Sequence, residues 1–412
     1  MWKVEKHTLD NGLTVLIHPD PTSPVGVLNL LYDVGARDER PQQTGFAHLF
    51  EHLMFGGSQN IPDFDMPLQR AGGTSNAFTS NDITNYYETI PVQNLETLMW
   101  LESDRMLSLA FTDKSLEVQR SVVIEEFKQR YINQPYGDVW HLLRDMVYKV
   151  HPYRWPTIGL EIAHIEEAMM EDVKAFFFKH YTPANGILCI GGDVKPDQTI
   201  ELVEKWFGQI PHRAAYKRDL PQEPVQTEAR LLEVERDVPQ SMIVKAYHNV
   251  DRRHKDYPAA DLISDLLSRG KSSRLHRSLV KEQKLFTEVH AYVSGELDPG
   301  TLMVNGMLRP GVSMEQADKA ILAELEKLTN DGAGEKELEK VRNKFIAAKE
   351  FEDTSILSRA MNLCYYELLG DYAGAWNETD AYDKVTPDDI QRMCRQVLRP
   401  ENASTLYYNA KQ

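Results

Sequence analysis

The sequence has 412 residues, of which 42% are hydrophobic and 26% charged, and its 62 acidic and 46 basic residues give a formal net charge of −16. This length predicts two domains of about 200 residues, and the composition is that of an ordinary globular protein rather than a disordered or membrane-embedded chain. The acidic balance disfavours nucleic acid and anionic membranes as partners and favours cationic peptides.

The cysteines and the N-terminus bear on the compartment. Cys189, Cys364 and Cys394 are odd in number and never share a Cys-x-x-Cys spacing, so we expect buried free thiols rather than disulfides or a structural zinc site. The first residues lack the apolar segment of a secretory signal, and no membrane span is expected. These features predict a cytoplasmic protein, or a periplasmic one if a leader was removed.

The chain begins with a pattern typical of an antiparallel sheet. Two β-type runs, 2–9 and 13–18, are joined by Asp10-Asn11-Gly12, a turn sequence suited to a hairpin. A third apolar run follows at 25–34. The polar segment after it leads into a predicted helix that starts with Thr44 as N-cap and ends at Gly56-Gly57.

This helix carries the motif His48-Leu49-Phe50-Glu51-His52. One face of the helix is apolar, and the two histidines project from a second face one turn apart, as two ligands of one metal must. A histidine pair with this spacing is more often structural. The added Glu51 changes the balance, because His-x-x-Glu-His is the inverted zinc-peptidase motif of the inverzincins.

The rest of the first half alternates strands with helices. Strands are predicted at 75–80 and 84–89, and Gly72-Gly73 before them is a helix stop rather than a phosphate loop, because the context of such a loop is missing. Helices are predicted at 95–106 and 115–131, the second of which carries Glu126 beside its apolar stripe; by itself Glu126 would be a surface residue. Further segments are a helix to about 148, a loop at 151–159, a helix at 171–180, a strand at 186–190 and a helix at 197–207.

The second half repeats the first. Asp172 to Pro183 and Asp389 to Pro400 are equally long and each lead into a strand, and Ala260 to Leu267 matches the motif helix without either histidine. We therefore predict an α+β fold of two homologous α/β sandwich domains, each an antiparallel sheet covered by helices, which arose by internal duplication. The predicted domains are 1–210, with the metal, and 229–412, without it, joined by a proline-containing linker at 211–228.

At this point the whole chain resembles the pitrilysin, insulin-degrading enzyme and mitochondrial processing peptidase family, and in particular the short two-domain bacterial type that is similar to the zinc-bearing processing subunit. The resemblance rests on the opening hairpin, the motif helix, Ser75 to Thr79, Val122 to Glu126, and the loop at 151–159. It implies a zinc endopeptidase with one zinc per chain.

The resemblance also implies the site residues. Glu126, at the family's spacing beyond His52, would be the third zinc ligand with His48 and His52, and the neighbouring Glu125 is rejected. Glu51 would be the general base. Asn76, Ala77 and Phe78 would form the edge strand along which a peptide substrate adds, and Gln119 stands where relatives have a second glutamate that supports the ligand.

Besides Gln119, the sequence departs from the family at a second place, which bears on assembly. Active relatives use an Arg and a Tyr in the second half to hold substrate, whereas this chain has Val280 and Thr287 near those places. We therefore expect a heterodimer with a homologous subunit that supplies this pair, with a homodimer as second choice. Two other functions stay open: a non-catalytic scaffold subunit, and a zinc hydrolase of small amides.

Overall fold

A computed structural model describes residues 2–411. The strands are β1 (Glu5–Thr8), β2 (Thr14–Pro19), β3 (Val25–Tyr32), β4 (Thr74–Thr79), β5 (Thr84–Pro91), β6 (Gly186–Gly192), β7 (Arg230–Arg236), β8 (Met242–His248), β9 (Phe286–Val293), β10 (Thr301–Leu308) and β11 (Ala403–Ala410). The helices are α1 (Phe46–Leu53), α2 (Asp65–Arg70), α3 (Leu95–Leu107), α4 (Asp113–Phe127), α5 (Val139–Val147), α6 (Ile162–Glu166), α7 (Met170–His180), α8 (Pro196–Phe207), α9 (Tyr257–Ser268), α10 (Met314–Asp331), α11 (Glu335–Glu352), α12 (Ile356–Leu369), α13 (Gly374–Asp383) and α14 (Pro387–Val397).

The first compact unit comprises residues 2–129, 155–220 and 350–377. Its six-stranded sheet has the order β1-β2-β6-β3-β5-β4, in which only the β2–β6 pair is parallel. Strand β6 is buried along its whole length, because α12 covers one face of the sheet while α3 and α8 pack on strands β3 and β2. Strand β4 is left as one edge of the sheet.

The second compact unit comprises residues 130–154, 221–349 and 378–411. Its sheet has the order β7-β11-β8-β10-β9 and again contains one parallel pair, β7–β11. Helices α9 and α14 belong to the larger apolar cluster on this sheet, and α5 contributes to a second cluster with β8 and β11. Strands β7, β11, β8, β10 and β9 thus repeat the pairing of β2, β6, β3, β5 and β4.

The predicted fold class, a duplicated α+β sandwich, is confirmed. The two compact units are interleaved along the chain, whereas the sequence indicated contiguous domains at 1–210 and 229–412. Residues 350–377 complete the first unit and residues 130–154 the second. The sequence predicts the helix that ends near residue 148 but not the one at 356–369, and periodicity does not say which sheet a helix covers.

Two smaller observations bear on the expectations from composition. Cys189, Cys364 and Cys394 are all buried and free, as predicted. Within residues 2–411, no helix combines the length and apolar composition that crossing a membrane requires.

Candidate metal and substrate site

Helix α1 positions the two histidines. Its apolar side chains Phe46, Leu49, Phe50 and Leu53 are buried, so the opposite face, with His48 and His52, points away from the core. The two imidazole rings lie 4.8 Å apart between centroids and are nearly perpendicular, at 89°.

Helix α4 brings Glu126 to this pair. Thr112 caps the helix by accepting a hydrogen bond from the Ser115 N–H, and the buried stripe Leu116, Val123 and Phe127 fixes the rotation of the helix. Glu126 is half-buried beside that stripe, whereas Glu125 is exposed and accepts a hydrogen bond from Gln129.

The three side chains converge. The Glu126 carboxylate oxygen lies 3.7 Å from His48 Nε2 and 3.5 Å from His52 Nε2, and one ligand atom from each residue lies within 4.8 Å of the others. In a tetrahedral zinc site with bonds of about 2.0–2.1 Å, neighbouring ligand atoms are about 3.4 Å apart. The donor set and the spacing therefore fit a zinc ion with one position left for water or substrate.

Glu51 lies on the flank of the triad and is half-buried. Burial raises the pKa of its carboxyl group, and the Glu126 carboxylate raises it further, while Thr79 and His52 lower it in part. A carboxylate with a raised pKa next to a metal-ligand cluster is suited to accept and return a proton. Thr79 is a residue that the sequence analysis missed, because its approach to α1 depends on where β4 ends.

The predicted substrate-binding residues lie on β4. Asn76 and Phe78 are exposed, with Phe78 at 37%, and Ala77 is half-buried. Strand β4 pairs with β5 on one side only, and it packs beside α1. An edge strand presents main-chain donors and acceptors to which an extended peptide could add.

The start of α1 differs from the prediction. Gly45, not Thr44, is the N-cap, with a left-handed φ of 89°, and no side chain of its own caps the helix. The Glu39 carboxylate instead accepts hydrogen bonds from the N–H groups of Gly45 and Ala47 at 2.9 and 2.8 Å. Thr44 accepts a hydrogen bond from the Leu160 N–H. Glu39 lies too far from the motif in an irregular segment for sequence spacing to have identified it.

The remaining residues singled out by the sequence are placed as follows. Gln119 is half-buried on α4, two turns before Glu126. Val280 is buried in a π-helical turn, and the exposed Thr287 on β9 donates a hydrogen bond to the Met307 carbonyl. Both belong to the second unit and carry no charge.

Comparison with protein-family models gives two matches. Residues 14–157 match the model described as insulinase, peptidase family M16, and residues 169–345 match the peptidase M16 inactive domain. Among curated proteins, zinc protease PqqE of Helicobacter pylori is 33% identical over 346 residues, covering 82% of this chain and 78% of that protein. The mitochondrial-processing peptidase subunit beta of Caenorhabditis elegans is 27% identical over 208 residues, covering 50% of this chain and 44% of that protein.

Comparison with solved structures also finds peptidases. A protease from Helicobacter pylori superposes with a TM-score of 0.92 at 30% identity, covering 99% of this chain and 100% of that one. Pitrilysin superposes with a TM-score of 0.78 at 17% identity, covering 99% of this chain and 45% of that one, and this likeness concerns the fold alone.

Proposed function

The chain belongs to peptidase family M16, the insulinase family, and from this premise we propose that it is a zinc-dependent endopeptidase. The observation that carries the proposal is the convergence of His48, His52 and Glu126 within 4.8 Å. Relatives named zinc proteases support zinc as the metal. The family's inactive-domain model matches the part of the chain that has no such triad.

We assign the residues the following roles. His48, His52 and Glu126 would hold the ion, which when bound polarises a carbonyl and lowers the pKa of a water ligand. Glu51 would take the proton of the attacking water and pass it to the leaving amine. Backbone groups of Asn76 and Ala77 would align the peptide, with Phe78 beside its side chains, and Gln119 would support the Glu126 side of the site.

The test separates ligand from base. Glu51→Gln should keep one zinc per chain and lose turnover by about 10²–10⁴-fold, because only proton transfer is removed. Glu126→Gln, His48→Ala and His52→Ala should lose zinc, because each removes a ligand. Zinc content by elemental analysis and cleavage of a mixed peptide library are the measurements.

Glu125→Gln is the matched control, because it alters the exposed neighbour on the same helix and should change neither property. Substantial turnover by Glu51→Gln would remove the base assignment, and zinc retained by Glu126→Gln would remove the ligand assignment. Cleavage of amides of single residues at the same rate as peptides would favour the small-amide hydrolase.

We propose further that the active form is a heterodimer. A peptide on β4 would be held on one side only, and Val280 and Thr287 offer no charged grip. Relatives named as the beta subunit of a processing peptidase support a second, homologous chain. The isolated chain should then bind zinc but cleave weakly, since alignment of the substrate governs the rate.

The measurement is peptidase activity across a concentration series, with the mass in solution followed in parallel. Full activity as a stable monomer would refute assembly. Full activity as a homodimer would keep assembly and discard the distinct partner, and a zinc-loaded chain that stays inert with every homologous partner would favour the scaffold subunit.

A further inference from the structure

A cavity of about 340 Å³ lies in the second unit, where β8 ends and β11 begins. This volume is at the lower end of the range for small-molecule sites. Its wall includes Glu223, His248, Asn249, Asp251, Arg399 and Asn402. None of these residues belongs to the triad, to Glu51 or to β4.

Asn249 is the unusual residue in this wall. It is 5% exposed, and its backbone N–H donates to the Gly300 carbonyl at 2.8 Å, which fixes its position. Its side-chain oxygen and nitrogen both lack a hydrogen-bonding partner among the described residues. A buried polar group left in this state costs about 1–3 kcal/mol, so it calls for an explanation.

The neighbouring amides show that the region can satisfy such groups. Asn402 Nδ2 donates to the carbonyls of Val397 and His248 at 2.7 and 2.9 Å. Gln226 Nε2 donates to the Ala403 carbonyl at 2.9 Å, and its oxygen accepts from Ser404. Among the buried wall residues that the structure describes, Asn249 has both an unused donor and an unused acceptor on one side chain.

The charges of the wall restrict the ligand. Arg399 is already paired with Glu401 and donates to the Gln396 carbonyl. Glu223 accepts three backbone N–H groups of residues 149–151, which outweigh its burial and lower its pKa, so it is ionised. With Asp251 as a second carboxylate, the wall disfavours an anion.

We propose that this cavity binds a small neutral or cationic molecule that carries an amide group, with Asn249 donating to its carbonyl and accepting from its N–H. The amide can be a peptide bond of a short peptide or a primary carboxamide. The apolar wall residues Pro224, Val250 and Val397 would contact the carbon atoms of the ligand.

The test uses the full chain and four probes: N-acetylalanine methylamide, alaninamide, acetate and inorganic phosphate. Calorimetry or ligand-observed NMR should show saturable binding of at least one amide probe, with a Kd on the order of millimolar for ligands this small. Binding of the methylamide alone identifies peptide bonds as the ligand, and binding of alaninamide alone identifies primary carboxamides. Either result supports the site.

Asn249→Leu should weaken amide binding about tenfold or more, because two hydrogen bonds are lost. The same variant should unfold at an unchanged or higher temperature, because it removes an unpaired buried amide; this shows that the loss is not a folding defect. Asp251→Asn should weaken alaninamide but not the neutral methylamide.

The proposal fails if no amide probe binds, if acetate or phosphate binds as well as the amides, or if Asn249→Leu binds them as tightly as the parent chain. None of these results depends on zinc or on peptidase activity, so failure here is distinct from failure of the proposed function.

Discussion

His180, at the end of α7, is a fully buried histidine whose two ring nitrogens have no hydrogen-bonding partner among residues 2–411. Its ring packs against Phe176 and Tyr216 at 4.6 and 4.7 Å between centroids. Burial, together with the nearby cations Lys179 and Arg218, lowers the pKa of His180 to about 3. The residue is therefore neutral in the folded protein at neutral pH.

This histidine should make stability depend on pH. Its folded pKa lies below the unfolded value of about 6.5, so between these values the unfolded chain binds a proton that the folded chain does not. The free energy of unfolding should fall as pH is lowered from about 6.5, by up to about 1.4 kcal/mol per pH unit from this group. His180→Phe should reduce that slope, as measured by urea unfolding of metal-free protein between pH 7.5 and 4.5.

The control is His290→Gln, which replaces a histidine whose side chain is 59% exposed. Equal slopes for His180→Phe and the parent chain would show that His180 is protonated in the folded state as readily as in the unfolded one.

At the scale of single elements, α1 depends on how its first turn is held. A Cβ on Gly45 would lie 2.6 Å from the Ile158 carbonyl oxygen, and the backbone there has the left-handed φ of 89°. Only glycine satisfies both conditions. The same turn receives the Glu39 carboxylate, so the position of His48 three residues later depends on it.

Gly45→Ala should therefore destabilise the protein by about 1–3 kcal/mol and weaken zinc binding as well. Gly311→Ala is the matched control, because Gly311 also has a positive φ, 84°, but a Cβ there would meet no atom within 4 Å. It should cost about 1 kcal/mol and leave zinc affinity unchanged. Thermal unfolding and zinc titration of both variants measure the differences in stability and in zinc affinity. Equal zinc affinities would show that the first turn of α1 does not influence the metal site.

Helix α9 shows how the second unit differs from the first at the positions of the two histidines. It occupies in the second unit the place of α1, and Asp261 and Asp265 stand where α1 has its histidines. Asp261 accepts a hydrogen bond from the Tyr382 hydroxyl at 2.7 Å, and Asp265 pairs with Arg269 at 2.8 Å. The second copy has thus become a hydrogen-bonded and ion-paired cluster made by its own side chains.

Much of the candidate metal site could be predicted from the sequence. The two histidines depend only on local helical spacing, and Glu126 lies at the spacing beyond His52 that is typical of the family. His48 and His52 are one turn apart on any helix, and the resemblance supplied Glu126. Glu39 and Asn249 could not be predicted in the same way, because the environment of each is set by residues that are remote along the chain or by a cavity. The roles of Asn76, Ala77, Phe78 and Gln119 stay predictions.

At the scale of the whole molecule, the two halves each contribute a helix to the other unit. Helix α12 covers β3 and β6 in the first unit, where Ile356 and Leu363 belong to the same buried apolar cluster as Leu31 and Ile187. Helix α5 packs on β8 and β11 in the second. Burial of each such aliphatic side chain contributes about 1.5–3 kcal/mol, so neither sheet is stable with that face open.

Separate halves should therefore fail to fold. Fragments 2–220 and 221–411 expressed alone should aggregate or expose apolar surface, whereas co-expression should give a soluble complex, as measured by size-exclusion chromatography and dye binding. Intact protein cleaved by a protease within 211–228 is the control and should stay associated. A fragment 2–220 that unfolds cooperatively by itself would show that contiguous domains describe the protein better.

Helix α12 also sets the order of events during synthesis. The sheet of the first unit receives its last strand at Gly192, but the helix that closes one of its faces begins at Ile356. At translation rates of about 5–20 residues per second, roughly 10–30 s pass between the synthesis of β6 and the synthesis of α12. The sheet face that α12 covers stays exposed during this time. A nascent chain that already contains His48, His52 and Glu126 therefore still presents an open apolar sheet face to chaperones until α12 has been synthesised.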